Sequence, residues 1–330
     1  MATPKTILIY TRGEQRIGDG VLKLPFIGAV RRTFPEARIT WLAGRKDSIY
    51  AGVLKGIMDG VLDEVLVRAG IGARAVEILT HWRPLKGRRF DLIIDTQRNP
   101  LRAIVLRRIR HDVFISRSFL LSDRRPPRPW RPPTALVDEL VELVSLAAGR
   151  PVAPAPISLV SRELRDAAEA LLPQGPTYVG LAPGARRRSR CWPLDNFVAV
   201  ARAQAEQDRI AVFLLGPQEQ DWLQTLRRAV PQARFPDTTM KGIRMVVALA
   251  ERMAAAVAND SGAGHLLAAG GARLVSLVHR PHKARKFRPA TPHLIQIQAQ
   301  EFGGDDMASI PVEAVLLALE KHIEGGAAAD

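Results

Sequence analysis

The stretch "AAAVANDSGAGHLLAAGG", residues 254–271, runs apolar from Ala254 to Ala258, breaks at Asn259-Asp260-Ser261-Gly262, and turns apolar again after His265. A short continuous apolar run is the mark of a strand buried on both faces, and the Ala/Leu-rich run that follows is helix-forming. Strand, tight turn and helix in that order are the unit from which parallel sheets are built. The polar residues fall at the carboxyl end of the strand and the amino end of the helix. There, small residues let the backbone approach a ligand, and free helix N–H groups face an anion. A structural turn accounts for the glycines and the Asp. His265, entering an apolar helix beside Leu266 and Leu267, is either a satisfied core histidine or a group aimed at a ligand.

The same unit recurs along the chain. Strands are expected over 6–10, 38–42, 65–67, 91–95, 113–115, 177–182, 210–215, 255–258 and 274–278. Helical patterns lie over 22–33, 73–82, 102–108, 134–148, 162–172, 194–206, 218–230, 243–252 and 263–269. Such alternation predicts parallel sheets covered by helices. Two segments interrupt it. "SDRRPPRPWRPP" (122–133) is too rich in proline and arginine for a regular element, and "GRPVAPAPIS" (149–158), with proline at alternate positions, reads as a semi-rigid linker. The linker predicts two Rossmann-like α/β domains, 1–150 and 151–310, facing a central cleft, with a final helix and frayed tail over 311–330. In such sheets ligands bind beyond the carboxyl ends of the strands.

Composition narrows the function classes. A chain of 330 residues that is 47% hydrophobic can fill two cores. Mean hydropathy is −0.03, and no segment approaches the roughly 18 apolar residues of a membrane span. "MATPKTILIY" passes directly into a strand-like run, so no signal peptide is expected. The single cysteine, Cys191, excludes a disulfide framework and a multi-cysteine metal site, and agrees with a cytoplasmic location. A formal charge of +15 favours an anionic partner, although an arginine-rich composition explains it equally. No aromatic RNA-binding signature or zinc-finger spacing occurs, so nucleic acid is not expected.

Three further loops follow strands. In "RIGDGVLKLPFIGAV" (16–30), Asp19 falls at a helix start, as an N-cap or as a carboxylate able to act as general base. In "APGARRRSRCWPLDNF" (182–197), Arg186, Arg187, Arg188 and Arg190 present forks that match phosphate oxygens, or form a solvated basic loop. In "AVFLLGPQEQDW" (211–222), Glu219 suits ribose hydroxyls, or is an ordinary first-turn acid. His279 and His282 sit in "HRPHKARKFRP" (279–289) without cysteines or carboxylates at ligand spacing, so no metal is expected. The glycine fingerprint of dinucleotide folds, the P-loop and the nucleophile elbow are all missing, and no bound cofactor is expected.

In chain order, these stretches resemble glycosyltransferase family 9, the heptosyltransferase family. Its Gly-Asp with a Pro six residues later is matched by Gly18, Asp19 and Pro25, followed by "RRTFPEARITWLAG". Its Lys-x-Trp-Pro is matched by Arg190-Cys191-Trp192-Pro193, its Gly…Glu by Gly216 and Glu219, and its Asp-[Ser/Thr]-Gly-x-x-His by Asp260, Ser261, Gly262 and His265. The resemblance implies a GT-B fold and an inverting, metal-independent glycosyltransferase. Heptose would pass from ADP-heptose, a nucleotide sugar serving as co-substrate, to a lipopolysaccharide core or similar anionic glycolipid acceptor. It implies an acceptor-binding first domain, a donor-binding second domain and a last helix that packs back on the first. Asp19 becomes the general base. Arg190, Asp260, Ser261, Gly262, Gly264 and His265 become the donor site, with Arg186, Arg187 and Arg188 as further diphosphate contacts. Glu219 is expected at the ribose and Met240 at the base. Without a metal, the departing diphosphate must be met by fixed positive charge and N–H donors.

The family's acceptors also imply a peripheral position on the inner face of the cytoplasmic membrane, where the positive charge would be of use. Two departures stand out. Arg190 replaces the family's lysine, and "HRPHKARKFRP" replaces a Gly-Pro-Thr type loop. The competing readings are a GT-B-like nucleotide-sugar epimerase, which needs further acid/base residues, and a non-catalytic basic protein that binds nucleotides or membranes.

Overall fold

The computed structural model describes residues 3–14, 16–71, 85–127, 129–238 and 242–327. The chain divides into two units, Met1–Ile157 and Ser158–Asp330. In the first, strands β1 (Thr6–Thr11), β2 (Arg38–Ala43), β3 (Glu64–Leu66), β4 (Arg89–Asp95) and β5 (Arg110–Ser116) form a parallel sheet in the order β3-β2-β1-β4-β5. The central strand is apolar without alternation because both its faces are covered: Ile7, Leu8, Ile9 and Tyr10 are all 0% exposed.

The expected helix over 22–33 is Leu24–Thr33, and a separate short helix, Ile17–Val21, precedes it across a turn at Leu22 and Lys23. Pro25 occupies the first turn of the second helix, where its missing N–H would have had no intrahelical partner. That helix packs against Leu136–Ala148, which ends on Gly149 at φ 70°, the left-handed cap that glycine adopts without strain.

The proline-rich stretch after Gly149 behaves differently from a free linker. The Ala155 N–H donates to the Pro25 carbonyl at 3.0 Å, and Arg32 reaches the Ala153 carbonyl at 2.9 Å. A Cβ on Gly28 would lie 2.1 Å from the Ala155 oxygen, so glycine is what permits this approach. Having given its backbone groups to the helix Leu24–Thr33, the stretch stays with the first unit. The division therefore falls after Ile157, not at 150.

The second unit holds β6 (Tyr178–Ala182), β7 (Ile210–Phe213), β8 (Ala255–Asn259), β9 (Leu274–Val278) and β10 (Leu294–Gln298), all parallel, in the order β10-β9-β8-β6-β7. Strand β10 is absent from the expected set. Its sequence "LIQIQ" lies at the sheet edge and is largely half-buried, so its signal comes from pairing with β9 more than from composition. A short helix, Pro281–Lys286, replaces the expected loop in "HRPHKARKFRP". The expected helix over 218–230 begins as a 3₁₀ turn, Pro217–Trp222, before the helix Leu223–Ala229. The helix expected over 73–82 lies outside the described residues.

The last helix, Val312–Ala327, contributes to the second unit's core, where Val315 and Leu319 join Val257, Val275 and Leu277. The His322 ring nitrogen meets the Leu274 carbonyl at 3.2 Å. Among the described residues, no helix is long and apolar enough to cross a membrane.

Candidate active site

Strands β6 and β8 are parallel neighbours, with Ala182 opposite Ala258, so the loops that follow them leave the sheet side by side. Asn259, the last residue of β8, is 1% exposed and ties the two loops together. Its amide donates to the Pro183 carbonyl at 2.7 Å, and its side-chain oxygen accepts the Trp192 N–H at 2.9 Å. Both ends of the basic loop are thereby pinned to one buried amide. The Trp192 indole donates to the Ile310 carbonyl at 2.9 Å and packs edge-on against Phe197 at 5.1 Å. The tryptophan of the Arg-Cys-Trp-Pro motif is thus a core anchor for the loop. Asn259 carried no special weight in the sequence, where it read as one more polar turn residue.

Between the pinned ends, Arg190 is surrounded by like charge. Partial burial lowers its pKa first, then the guanidiniums of Arg280, Arg187 and Arg186, with Asp260 pulling the other way. Asp260 is solvent-exposed on one side; the protein crowded around its carboxyl raises its pKa, against the pull of Arg190. Neither member of this pair fully neutralises the other, and the surplus is positive, the electrostatic condition for holding an added anion. Arg280 was not among the expected residues; the arginine-rich "HRPHKARKFRP" contained the signal.

Arg188 does not join this group. It donates to Asp221 at 2.6 Å and to the Gln218 carbonyl at 3.3 Å, and its guanidinium lies 4.9 Å over the Trp222 ring. Its charge is matched there by an exposed ion pair and a ring face.

Glu219 is half-buried in a seat made of two glycines. A Cβ on Gly184 would fall 2.5 Å from its Cδ, and one on Gly216 would fall 2.6 Å from its Oε2. Burial raises its pKa, opposed by the Gly216 N–H that it accepts and by the charge of Arg188. Gly184 had passed unnoticed as ordinary loop glycine.

The helix Gly262–Ala269 begins after Ser261, which is extended at φ −146° and ψ 177° but makes no side-chain cap bond. The Ser261 hydroxyl is buried and finds no partner among the described residues. His265 is 9% exposed, its Nδ1 is likewise unpartnered, and burial lowers its pKa to about 4, so the ring is neutral near pH 7. Gly262 is the first helical residue. No protein neighbour demands glycine at 264, since a Cβ there would meet the Asn259 oxygen at an ordinary 3.6 Å.

In the first unit, Asp19 is the third residue of the helix Ile17–Val21, so it is not the N-cap; that position belongs to Arg16, which makes no side-chain cap bond. Asp19 is exposed and has no hydrogen bond or ion pair among the described residues. Its mount is rigid. Buried Glu14 accepts from Thr11 (2.5 Å), Lys23 (2.5 Å), Ser48 (3.2 Å) and the Trp41 indole (3.3 Å), fixing the loop between β1 and the helix. The Tyr50 hydroxyl donates to the Gly20 carbonyl at 2.7 Å. Burial, and then the charges of Glu14 and Asp19, push the Tyr50 pKa well up. None of these supporting residues was legible as a group in the sequence. Met240 lies outside the described residues. Among those described, no three His, Cys, Asp or Glu side chains are grouped to hold a metal ion.

Two units, each a five-stranded parallel sheet with its site residues on the loops after the strands, define the fold of GT-B glycosyltransferases, and solved structures bear this out. A glycosyl transferase family 9 protein from Veillonella parvula matches with a TM-score of 0.70 at 20% identity, over 97% of each chain. The E. coli ADP-heptose lps heptosyltransferase II matches at 0.64 and 16% identity, over 97% of this chain and 99% of that one. The E. coli heptosyltransferase WaaC with ADP-2-deoxy-2-fluoro heptose matches at 0.65 and 16%, over 96% and 99%. Comparison with curated protein sequences finds no match. The model of glycosyltransferase family 9 (heptosyltransferase) matches residues 78–307. The chain belongs to that family and is a glycosyltransferase.

Proposed function

We propose that the protein moves heptose from ADP-heptose to a hydroxyl of a lipopolysaccharide core or similar anionic glycolipid, with inversion and without a metal ion. The observation that carries this reading is the under-neutralised crowding of Arg190 by Arg186, Arg187 and Arg280, opposed by Asp260, beside an uncapped helix start. A nucleotide diphosphate supplies the charge that this group lacks. Its oxygens would take the arginine forks and the N–H groups from Gly262 onward, with the unpartnered Ser261 hydroxyl and the neutral His265 completing the set. Gly264 would give the phosphates backbone access, Glu219 would accept the ribose hydroxyls, and Met240 would contact the base. The donor assignment draws on the heptosyltransferases that the chain resembles.

Asp19, exposed and without a partner on a rigid turn, would take the proton from the acceptor hydroxyl as that oxygen attacks the anomeric carbon. The bond from that carbon to the diphosphate breaks, and the released charge falls on the arginine group. The chain's +15 charge would draw it to the anionic cytoplasmic face of the inner membrane, where such acceptors lie.

The test is Asp19→Asn. Transfer should fall by about 10²–10⁴ while ADP binding is kept, because general-base catalysis contributes about that factor. Undiminished transfer by the variant would refute the mechanism. A thermal-shift panel separates donors, since binding to the native state stabilises it: ADP-heptose should raise Tm, and UDP- or GDP-sugars should not.

A further inference from the structure

Asp19 lies between two charges that close on each other. Glu14 precedes it and Lys23 follows it, and the two form an ion pair at 2.5 Å, with side-chain exposures of 0% for Glu14 and 12% for Lys23. The pair clasps the chain on either side of Asp19, across the helix Ile17–Val21 and the turn after it. Glu14 has little freedom to shift. Besides Lys23, its carboxylate accepts from Thr11 at 2.5 Å, Ser48 at 3.2 Å and the Trp41 indole at 3.3 Å, and its backbone carbonyl accepts the Ile49 N–H at 3.0 Å. Thr11 ends β1 and Trp41 lies in β2, both buried, so the clasp is anchored in the sheet.

A second route reaches the same turn. Trp41 packs edge-on against Tyr50 at 5.0 Å, and the Tyr50 hydroxyl donates to the carbonyl of Gly20, the residue next to Asp19. A Cβ on Gly20 would fall 2.1 Å from the Ile49 Cδ1, so glycine is what lets the segment Ile49–Ala51 close on the turn. The backbone on both sides of Asp19 is thus held from Glu14. The Asp19 side chain itself is exposed and takes no hydrogen bond or ion pair among the described residues.

Stability does not call for this arrangement, because two well-packed apolar side chains of similar volume often serve a fold as well as a buried ion pair. What the charged pair adds is direction, since its hydrogen bonds set angle as well as distance. Glu14 is not a second base: its side chain is fully buried, with donors on both oxygens.

We propose that Glu14 and Lys23 are positioning residues for transfer. Their ion pair sets where the Asp19 carboxylate points, so that it meets the acceptor hydroxyl as that oxygen attacks. The proposal rests on the general-base reading of Asp19.

Initial rates with ADP-heptose and lipopolysaccharide core, together with ADP calorimetry and Tm, test it. Lys23→Met alone strands the Glu14 charge in the interior and is expected to unfold the first unit. Two other variants avoid that. Glu14→Gln lets Lys23 turn its ammonium to water, and Glu14→Gln combined with Lys23→Met removes both charges. In each, the amide can keep its oxygen to Trp41 and Ser48 and offer its NH2 to the Thr11 hydroxyl. Both should lose about tenfold or more in kcat, with acceptor KM changed by less than about threefold and with Tm and ADP affinity close to the parent's. A misdirected base slows the chemical step without weakening binding. In an Asp19→Asn background the same changes should cost no further kcat, since they act through that carboxylate. The proposal is overturned if both variants turn over like the parent, if kcat falls only in step with Tm, or if the loss is as large in the Asp19→Asn background. Undiminished transfer by Asp19→Asn itself is a separate result, which removes the general-base reading and this proposal with it.

Discussion

Replacing Asn259 with alanine tests how the basic loop is held. The substitution removes two buried hydrogen bonds and leaves the Trp192 N–H and the Pro183 carbonyl without partners. A buried group stranded in this way costs about 1–3 kcal/mol, and water entering the space left by the amide relieves part of it. The net loss should be about 2–4 kcal/mol. With a urea m-value of about 2 kcal/mol/M, the unfolding midpoint of the second unit should drop by about 1–2 M. Because the basic loop loses its tether to β8, ADP affinity measured by calorimetry should also fall by about tenfold, roughly 1.4 kcal/mol. Asn259→Asp keeps an acceptor for Trp192 but sets an oxygen against the Pro183 carbonyl and puts a charge in a buried site next to Asp260. It should therefore lose at least as much stability as Asn259→Ala and more ADP affinity. If Asn259→Ala unfolds at the parental urea concentration and binds ADP like the parent, the tether has no energetic role and the account of the loop is wrong.

Two other outcomes follow from the same site. His265 has a folded-state pKa of about 4, below the 6.5 of a free imidazole, so the folded chain resists a proton that the unfolded chain accepts. Its contribution is therefore complete above pH 6.5 and is lost as pH falls towards 4; by pH 5 the loss should be about 2 kcal/mol. Urea unfolding at pH 7.5 and pH 5 should show a pH-dependent loss smaller by that amount in His265→Gln, and equal losses in the two proteins would contradict the burial argument. Gly184→Ala places a Cβ 2.5 Å from the Glu219 Cδ and should swing that carboxylate out of its seat. ADP affinity should drop about tenfold with little change in Tm, since the displaced group is the end of a flexible side chain; an unchanged Kd would remove Glu219 from the nucleotide site.

Much of the architecture was legible because buried parallel strands and amphipathic helices have distinct sequence periods. The run "TILIYT" and the segment around Ala254–Ala258 could hardly be anything but central strands. Strand β10 escaped because an edge strand is half polar. The helix Pro281–Lys286 escaped because arginine, lysine and proline also suit a loop. The domain boundary was misplaced because proline content signals stiffness and says nothing of what the segment's carbonyls will meet. Only Gly28 lying against Ala155 shows why the stretch after Gly149 stays with the first unit.

By itself the sequence determined the order of strands and helices, the family, and the local chemistry of "NDSGAGH", "RRRSRCWP" and the turn at Asp19, because each depends on residues close along the chain. What each side chain faces was decided only by tertiary structure. Arg188 and Arg190 are two residues apart, yet one is neutralised by Asp221 while the other is crowded by Arg186, Arg187 and Arg280. Ser261 looks like a helix cap and leaves the helix uncapped. Asn259 looks like turn filler and holds two loops. Charge matching and hydrogen-bond satisfaction depend on atoms that folding brings together from distant parts of the chain, and sequence spacing does not record them.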